Sequence, residues 1–263
     1  MSAILKIEKL GISFGGIKAV DEVSFDVPSG KIISVIGPNG AGKTTLFNMI
    51  SGIYRPSTGA IWLDGANVTG METHLLARRG LSRTFQNLQI FADMTLLENV
   101  MVGHHLREKA STLANLFGLP SSHRETQETR ERAGVLLARV GLEQGAYRLA
   151  SSMSFGALKR LEIARALALE PKILLLDEPA AGCNPVETAE IDKLIAEIAA
   201  SGVAVLLVEH DMKLVMRISS HIVVIDHGKK IAEGAPAEIA RNPEVIAAYL
   251  GQSGQAQVLN ADS

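Results

Sequence analysis

Short apolar runs recur along this chain, each closed by glycine, proline or an acidic pair. Residues 4–10 and 23–27 read as strands, and Pro28-Ser29-Gly30 turns the chain into a third, Ile32–Ile36. Residues 44–50, with Leu46, Phe47, Met49 and Ile50, continue as a helix. Gly52 and Pro56-Ser57-Thr58-Gly59 lead to a short strand over residues 60–63, closed by Asp64-Gly65. From about residue 75 to 169 strand-like runs vanish and helical spacing takes over. Ala133, Leu136, Leu137 and Val140 form the stripe of a helix over residues 126–140. Within this stretch residues 110–122 read as a polar loop, His104-His105 as surface, and the balanced charges from Arg124 to Arg132 as a solvated helix face. Strand character returns at residues 173–176, 203–208 and 222–225.

The helix between the first two of these is well punctuated. Asn184 can cap it, Pro185 suits its first turn, and Glu187 stands three residues after the cap, close to a capping box. Ile191, Leu194, Ile195 and Ile198 supply its buried stripe, and Gly202 ends it. Strand–helix–strand units of this kind imply a parallel sheet covered on both faces. The polar, small-residue tail over 252–263 is expected to fray.

The chain is 263 residues long, 47% apolar and 21% charged, which suits one large globular domain with an inserted subdomain. Lys+Arg number 26 against 28 Asp+Glu, a formal charge of −2, so the basic excess of a general nucleic-acid binder is missing. A single cysteine, Cys183, cannot form an intrachain disulfide. No apolar run approaches the ~18–20 residues that cross a bilayer, so any membrane role is expected to run through a partner.

The strand at Ile32–Ile36 opens into Gly37-Pro38-Asn39-Gly40-Ala41-Gly42-Lys43-Thr44, followed by Thr45. This fits the phosphate-loop pattern G-x-x-x-x-G-K-[ST], with a strand before it and a helix after it. Such a turn aims backbone N–H groups and the positive end of a helix at one spot, where phosphate oxygens fit. Lys43 can reach the β- and γ-phosphates of a nucleotide, and the Thr44 hydroxyl can ligate Mg²⁺. A second buried strand ends in Asp177-Glu178-Pro179. It places two carboxylates at the edge where open α/β sheets bind ligands: Asp177 for the Mg²⁺ environment, Glu178 to polarise an attacking water. Parallel strand order carries His210, after the strand at 203–208, to the same edge as a γ-phosphate contact. Gln86, where sheet-like sequence gives way to helical, suits a residue that contacts Mg²⁺ or water and reports movement of the insertion.

Taken in order, these segments resemble the ATP-binding subunit of ABC transporters. The likeness rests on Gly37–Thr44, the Gln86 loop, Met153-Ser154-Phe155-Gly156 leading into Leu161-Glu162-Ile163-Ala164-Arg165, Leu176-Asp177-Glu178-Pro179, Ala181-Gly182-Cys183-Asn184-Pro185, and His210. Arg83-Thr84-Phe85-Gln86-Asn87, Glu209-His210-Asp211-Met212 and Asn242-Pro243-Glu244-Val245 look like the bacterial subfamily that energises uptake of branched-chain and other hydrophobic amino acids. ATPases of urea or amide uptake and of lipopolysaccharide export look similar.

The resemblance implies an α/β P-loop NTPase of the ABC ATPase type, with a mostly parallel sheet core, an antiparallel β subdomain and an inserted helical subdomain. It implies one ABC ATPase domain over 4–251, with a nucleotide-binding core at 4–86 and 171–251 and a helical subdomain at 87–170. It also implies ATP and Mg²⁺ as ligands and a second ATPase subunit, in a homo- or heterodimer, the Ser-x-Gly segment of each subunit (here Ser154 and Gly156) completing the other's site. Integral membrane permeases are the direct partners, a periplasmic substrate-binding protein an indirect one, and nucleic acid none. The location implied is the cytoplasmic face of the bacterial inner membrane. Phe14 occupies the position where the family stacks a ring on adenine. Two departures stand out: Ala157 replaces the family's usual glutamine, and Asn184 its usual aspartate. They imply retained hydrolysis with altered rate or dimer coupling, or else a catalytically weak partner in an asymmetric pair.

Overall fold

In a computed structural model that describes residues 3–84, 86–104 and 120–250, the chain divides into two compact units. The first draws on Met1–Arg83, Lys172–Glu178 and Ile195–Ser263, the second on Thr84–Pro171 and Pro179–Leu194.

Two sheets build the first unit. Strands β1 (Ala3–Phe14), β2 (Ile17–Pro28), β4 (Thr58–Leu63) and β5 (Ala66–Asn67) pair antiparallel in the order β2-β1-β4-β5. Along β2 buried positions alternate with open ones, as in a sheet with one face on the core. The other sheet has six strands in the order β10-β9-β3-β8-β7-β6. Its members are β3 (Ile32–Ile36), β6 (Leu81–Arg83), β7 (Ile173–Asp177), β8 (Ala204–Val208), β9 (His221–Asp226) and β10 (Lys229–Gly234). All neighbours run parallel except β9 and β10. Every residue of β3, β7 and β8 is buried, because a parallel sheet has both faces covered. Helix α1 (Lys43–Ile50) buries Leu46, Phe47, Met49 and Ile50 in the core that includes Ile33, Val35, Leu175 and Leu206.

Three strands depart from the sequence reading, the first being two-residue β5, which pairs with β4 across Asp64-Gly65. β6 lies inside the stretch expected to lack strands, because Leu81, Ser82 and Arg83 pair in register with Ile173, Leu174 and Leu175. β10 carries two lysines and a glutamate, and only its antiparallel pairing with β9 makes it a strand.

The second unit contains α3 (Leu96–His104), α4 (Pro120–Arg139) and α5 (Phe155–Leu167), with α2 (Thr73–Arg78) belonging to the first. Ala133, Leu137 and Val140 are buried along the expected stripe. Residues 126–132 are open apart from Thr129, consistent with a solvated face. Two expectations need correction. Helix α4 starts at Pro120, so 120–122 are not loop, and the ring's fixed φ suits a helix start. His104 is not a surface residue: it ends α3 buried, 4% exposed. His105, the remainder of the 110–119 loop, Phe85 and the tail lie outside the described residues.

Helix α6 (Pro185–Ala200) has the expected cap. Asn184 Oδ1 accepts from the N–H groups of Val186 and Glu187, both at 3.0 Å, and Glu187 Oε2 accepts from the Asn184 N–H at 3.2 Å. This reciprocal pair is a capping box.

Candidate nucleotide site

Four adjacent parallel strands, β3, β8, β7 and β6, end at one edge of the six-stranded sheet. The open α/β rule locates ligand sites at that edge. β3 leads into residues 37–42. Gly37 has φ 155°, and a Cβ there would stand 1.9 Å from the Ile225 carbonyl oxygen. Gly42, at φ 102°, caps helix α1 from the left-handed region, and a Cβ would come within 2.5 Å of the Ala19 carbonyl oxygen. Glycine alone fits both places. Helix α1 has no side-chain cap and no acid in its first turn, so its positive end is left to backbone N–H groups.

Lys43 Nζ donates to the carbonyl oxygens of Gly37 at 2.7 Å and Pro38 at 2.9 Å. Partial burial pushes its ammonium below the ordinary lysine range, while the charges of Glu178 and Asp177 pull it back up. Thr44 is exposed and Thr45 half-buried on the first turn; Asn39 and Gly40 are open, while Pro38 and Ala41 are buried. These groups suit a polyphosphate: backbone donors, a cation and a hydroxyl at one helix start. The donor chemistry fits Mg²⁺ as well, with a hydroxyl at Thr44 and carboxylates at Asp177 and Glu178.

Asp177 ends β7 with its side chain 5% exposed and paired to Arg83, Nη2 to Oδ2 at 2.8 Å. A buried charge needs such a partner, and removing one member of a buried pair costs about 3–5 kcal/mol. Glu178 sits at φ 49°, a left-handed conformation unusual for a side chain with a Cβ, and its N–H donates to the Val208 carbonyl at 2.9 Å. That cross-strand bond fixes the direction in which the carboxylate leaves the sheet. His210 Nδ1 is 3.7 Å from Glu178 Oε1 and 3.8 Å from Glu209 Oε2. The Glu209 carboxylate is buried and accepts the His210 backbone N–H at 3.1 Å, steadying the turn that presents the imidazole.

The structure therefore gathers the loop, Asp177, Glu178 and His210 in the first unit. Phe14 stands half-open at the end of β1, edge-to-face with Tyr54 at a centroid distance of 5.5 Å. Gln86 is exposed in the second unit, where its carbonyl accepts from Lys159 Nζ at 3.4 Å. Ser154 caps α5, its Oγ accepting from the Ala157 N–H at 3.3 Å. Because that bond uses the backbone of residue 157, alanine in place of glutamine leaves the cap intact.

Three residues that sequence reasoning gave no role at the nucleotide site take part. Arg83 is one. Glu187 is another: its Oε1 accepts from the Ser154 hydroxyl at 3.1 Å and from the Gly156 N–H at 3.2 Å. The Asn184 N–H above all, then the Ser154 hydroxyl and Gly156 N–H, hold the Glu187 carboxyl below its ordinary range. The third is Tyr249 in helix α7 (Pro243–Leu250). Burial pushes its phenol up to about 12, against a hydrogen bond from the Gly37 backbone that pulls the other way. The Asn184–Glu187 spacing was the one local signal for any of these; the contacts themselves are tertiary.

A family model described as ABC transporter matches residues 20–181, and one described as branched-chain amino acid ATP-binding cassette transporter matches residues 229–254. The chain is 47% identical to the high-affinity branched-chain amino acid transport ATP-binding protein BraF of Pseudomonas aeruginosa, over 95% of this chain and 98% of that protein. It is 45% identical to LivG of Salmonella typhimurium, of the same description, with the same coverage. Among solved structures, the ADP conformation of an ATP-binding cassette of an ABC transporter superposes with a TM-score of 0.84 at 34% identity, covering 96% of this chain and 100% of that one.

Proposed function

This chain belongs to the ATP-binding cassette family of ABC transporters, and from that premise we propose that it is the ATP-hydrolysing subunit of a branched-chain amino-acid importer. The observation that carries the hydrolytic reading is the Glu178 carboxylate, turned out of the sheet at φ 49° beside His210 and within the electrostatic reach of Lys43.

The phosphate-loop N–H groups from Gly37 to Thr45 receive the phosphates, and Lys43 exchanges its two carbonyl partners for phosphate oxygens. Thr44 and Asp177 would hold Mg²⁺, which would supply positive charge against the β- and γ-phosphates. Glu178 accepts a proton from the attacking water, and His210 donates to the γ-phosphate oxygens as charge builds there. Phe14, backed by Tyr54, receives the adenine. Ser154 and Gly156 serve the nucleotide of a second ATPase subunit, so that binding closes a dimer and hydrolysis reopens it. Gln86 and the helical unit pass that motion to integral membrane permeases fed by a periplasmic substrate-binding protein. Among the described residues no helix is long and apolar enough to cross a membrane; the location proposed for the subunit is the cytoplasmic face, where its partners hold it.

The test uses Glu178→Gln in the transporter assembled with its permeases. Expected is loss of leucine-stimulated phosphate release by at least about 100-fold with nucleotide binding retained. Unchanged turnover would favour the second reading, prompted by Ala157, in which this subunit binds ATP while a sister subunit hydrolyses it.

A further inference from the structure

Arg83 ends β6 with its side chain 7% exposed, and its guanidinium makes three bonds of 2.8 Å. Nη2 donates to Asp177 Oδ2; Nη1 donates to Asn48 Oδ1 and to Ser51 Oγ. The Ser51 hydroxyl donates onward to the Phe47 carbonyl at 2.8 Å, so its oxygen is free to accept from the arginine. The guanidinium also lies over the Phe47 ring, 5.6 Å from its centroid. Phe47 and Asn48 belong to helix α1, and Ser51 is its C-terminal cap. One buried cation thus joins the helix that begins with Lys43 and Thr44 to the strand end that carries Asp177 and Glu178.

A planar fork of donors can hold several acceptors in fixed directions at once, which a lysine ammonium on a flexible stem cannot. The bond to Asp177 engages Oδ2, so Oδ1 remains the acceptor for other groups. Groups that orient a metal's ligands act on metal affinity through them, by about 10–100-fold when removed.

We propose that Arg83 is a positioning residue for the reaction: it fixes the Asp177 carboxylate by one oxygen, keeps the other in a constant place for Mg²⁺ and its waters, and locks that carboxylate to the phosphate-loop helix. This rests on the reading of Asp177 as part of the Mg²⁺ environment. It makes the spacing between the metal side and the phosphate side of the site a property of one side chain.

The experiment titrates MgCl₂ against the full chain in the presence of a fluorescent ATP analogue, with EDTA as the metal-free reference. Arg83→Lys keeps the buried charge and loses the fork. It should raise the half-saturating Mg²⁺ concentration about tenfold while nucleotide affinity in EDTA stays within about twofold. Arg83→Met should raise it further; if circular dichroism finds that variant unfolded, the lysine variant still decides. A wild-type Mg²⁺ response in Arg83→Lys, or an equal loss of affinity with and without metal, overturns the proposal. Asp177→Asn is measured alongside. If it shifts the Mg²⁺ response and Arg83→Lys does not, Arg83 is only a counter-ion for the fold. If Asp177→Asn shifts nothing, the metal reading of Asp177 falls and the proposal with it.

Discussion

Two helices of this protein begin at anion-receptive ends, and they are built in opposite ways. Helix α1 starts from Gly42 in the left-handed region, with no capping side chain and no acid in its first turn. Helix α5 starts from Ser154, whose hydroxyl caps it, and its Gly156 N–H is taken by the Glu187 carboxylate. The first end is all backbone, fixed by glycines against carbonyl oxygens, and it keeps its donors for a phosphate. The second already holds an anion of its own chain. A carboxylate is a fair mimic of a phosphate oxygen pair, so any phosphate taken by Ser154 and Gly156 has to displace Glu187 first. The two ends therefore differ in readiness.

The contrast can be broken most severely at Lys43. Lys43→Ala removes the cation at the first end, and phosphate release should fall by at least about 100-fold while the fold survives. Wild-type turnover there would mean that the backbone alone suffices. Next comes Gly37→Ala, whose Cβ would stand 1.9 Å from a backbone oxygen that cannot swing aside. Urea unfolding should register a loss on the order of 3 kcal/mol, against a near-silent change if the loop can shift as a body. The smallest effect is expected from Glu187→Gln at the second end. The folded Glu187 carboxyl lies below its usual value of 4.5, so its stabilisation is present above that pH and lost as pH falls through the folded value. Melting temperature should thus fall less steeply on acidification in the glutamine variant than in the wild type. Parallel acid profiles would show that the carboxylate does not hold the second end.

The difference between the two ends also explains what could be read from sequence. The phosphate loop is local, with strand, glycines, lysine and helix within nineteen positions of Ile32–Ile50, so periodicity and one pattern reveal it. Asp177, Glu178 and His210 were legible because apolar runs announce buried strands and parallel order sends their ends to one edge. Nothing local ties Glu187 to Ser154, 33 residues away, or Arg83 to Asp177, 94 residues away. Strand β6 has three residues, too few to display a period, and β10 is an edge strand whose charges disguise it. His104 reads as surface because nothing in its local sequence marks it for a role; only the folded packing buries it.

The backbone at Glu178 sets stability against activity. A left-handed conformation costs a residue with a Cβ roughly 1–2 kcal/mol, and glycine would adopt it freely. The fold on its own would favour glycine at this position, and the proposed chemistry requires the acid. Under the proposed role of Glu178, a glycine there would leave a subunit that folds better, still grips nucleotide, and no longer turns it over.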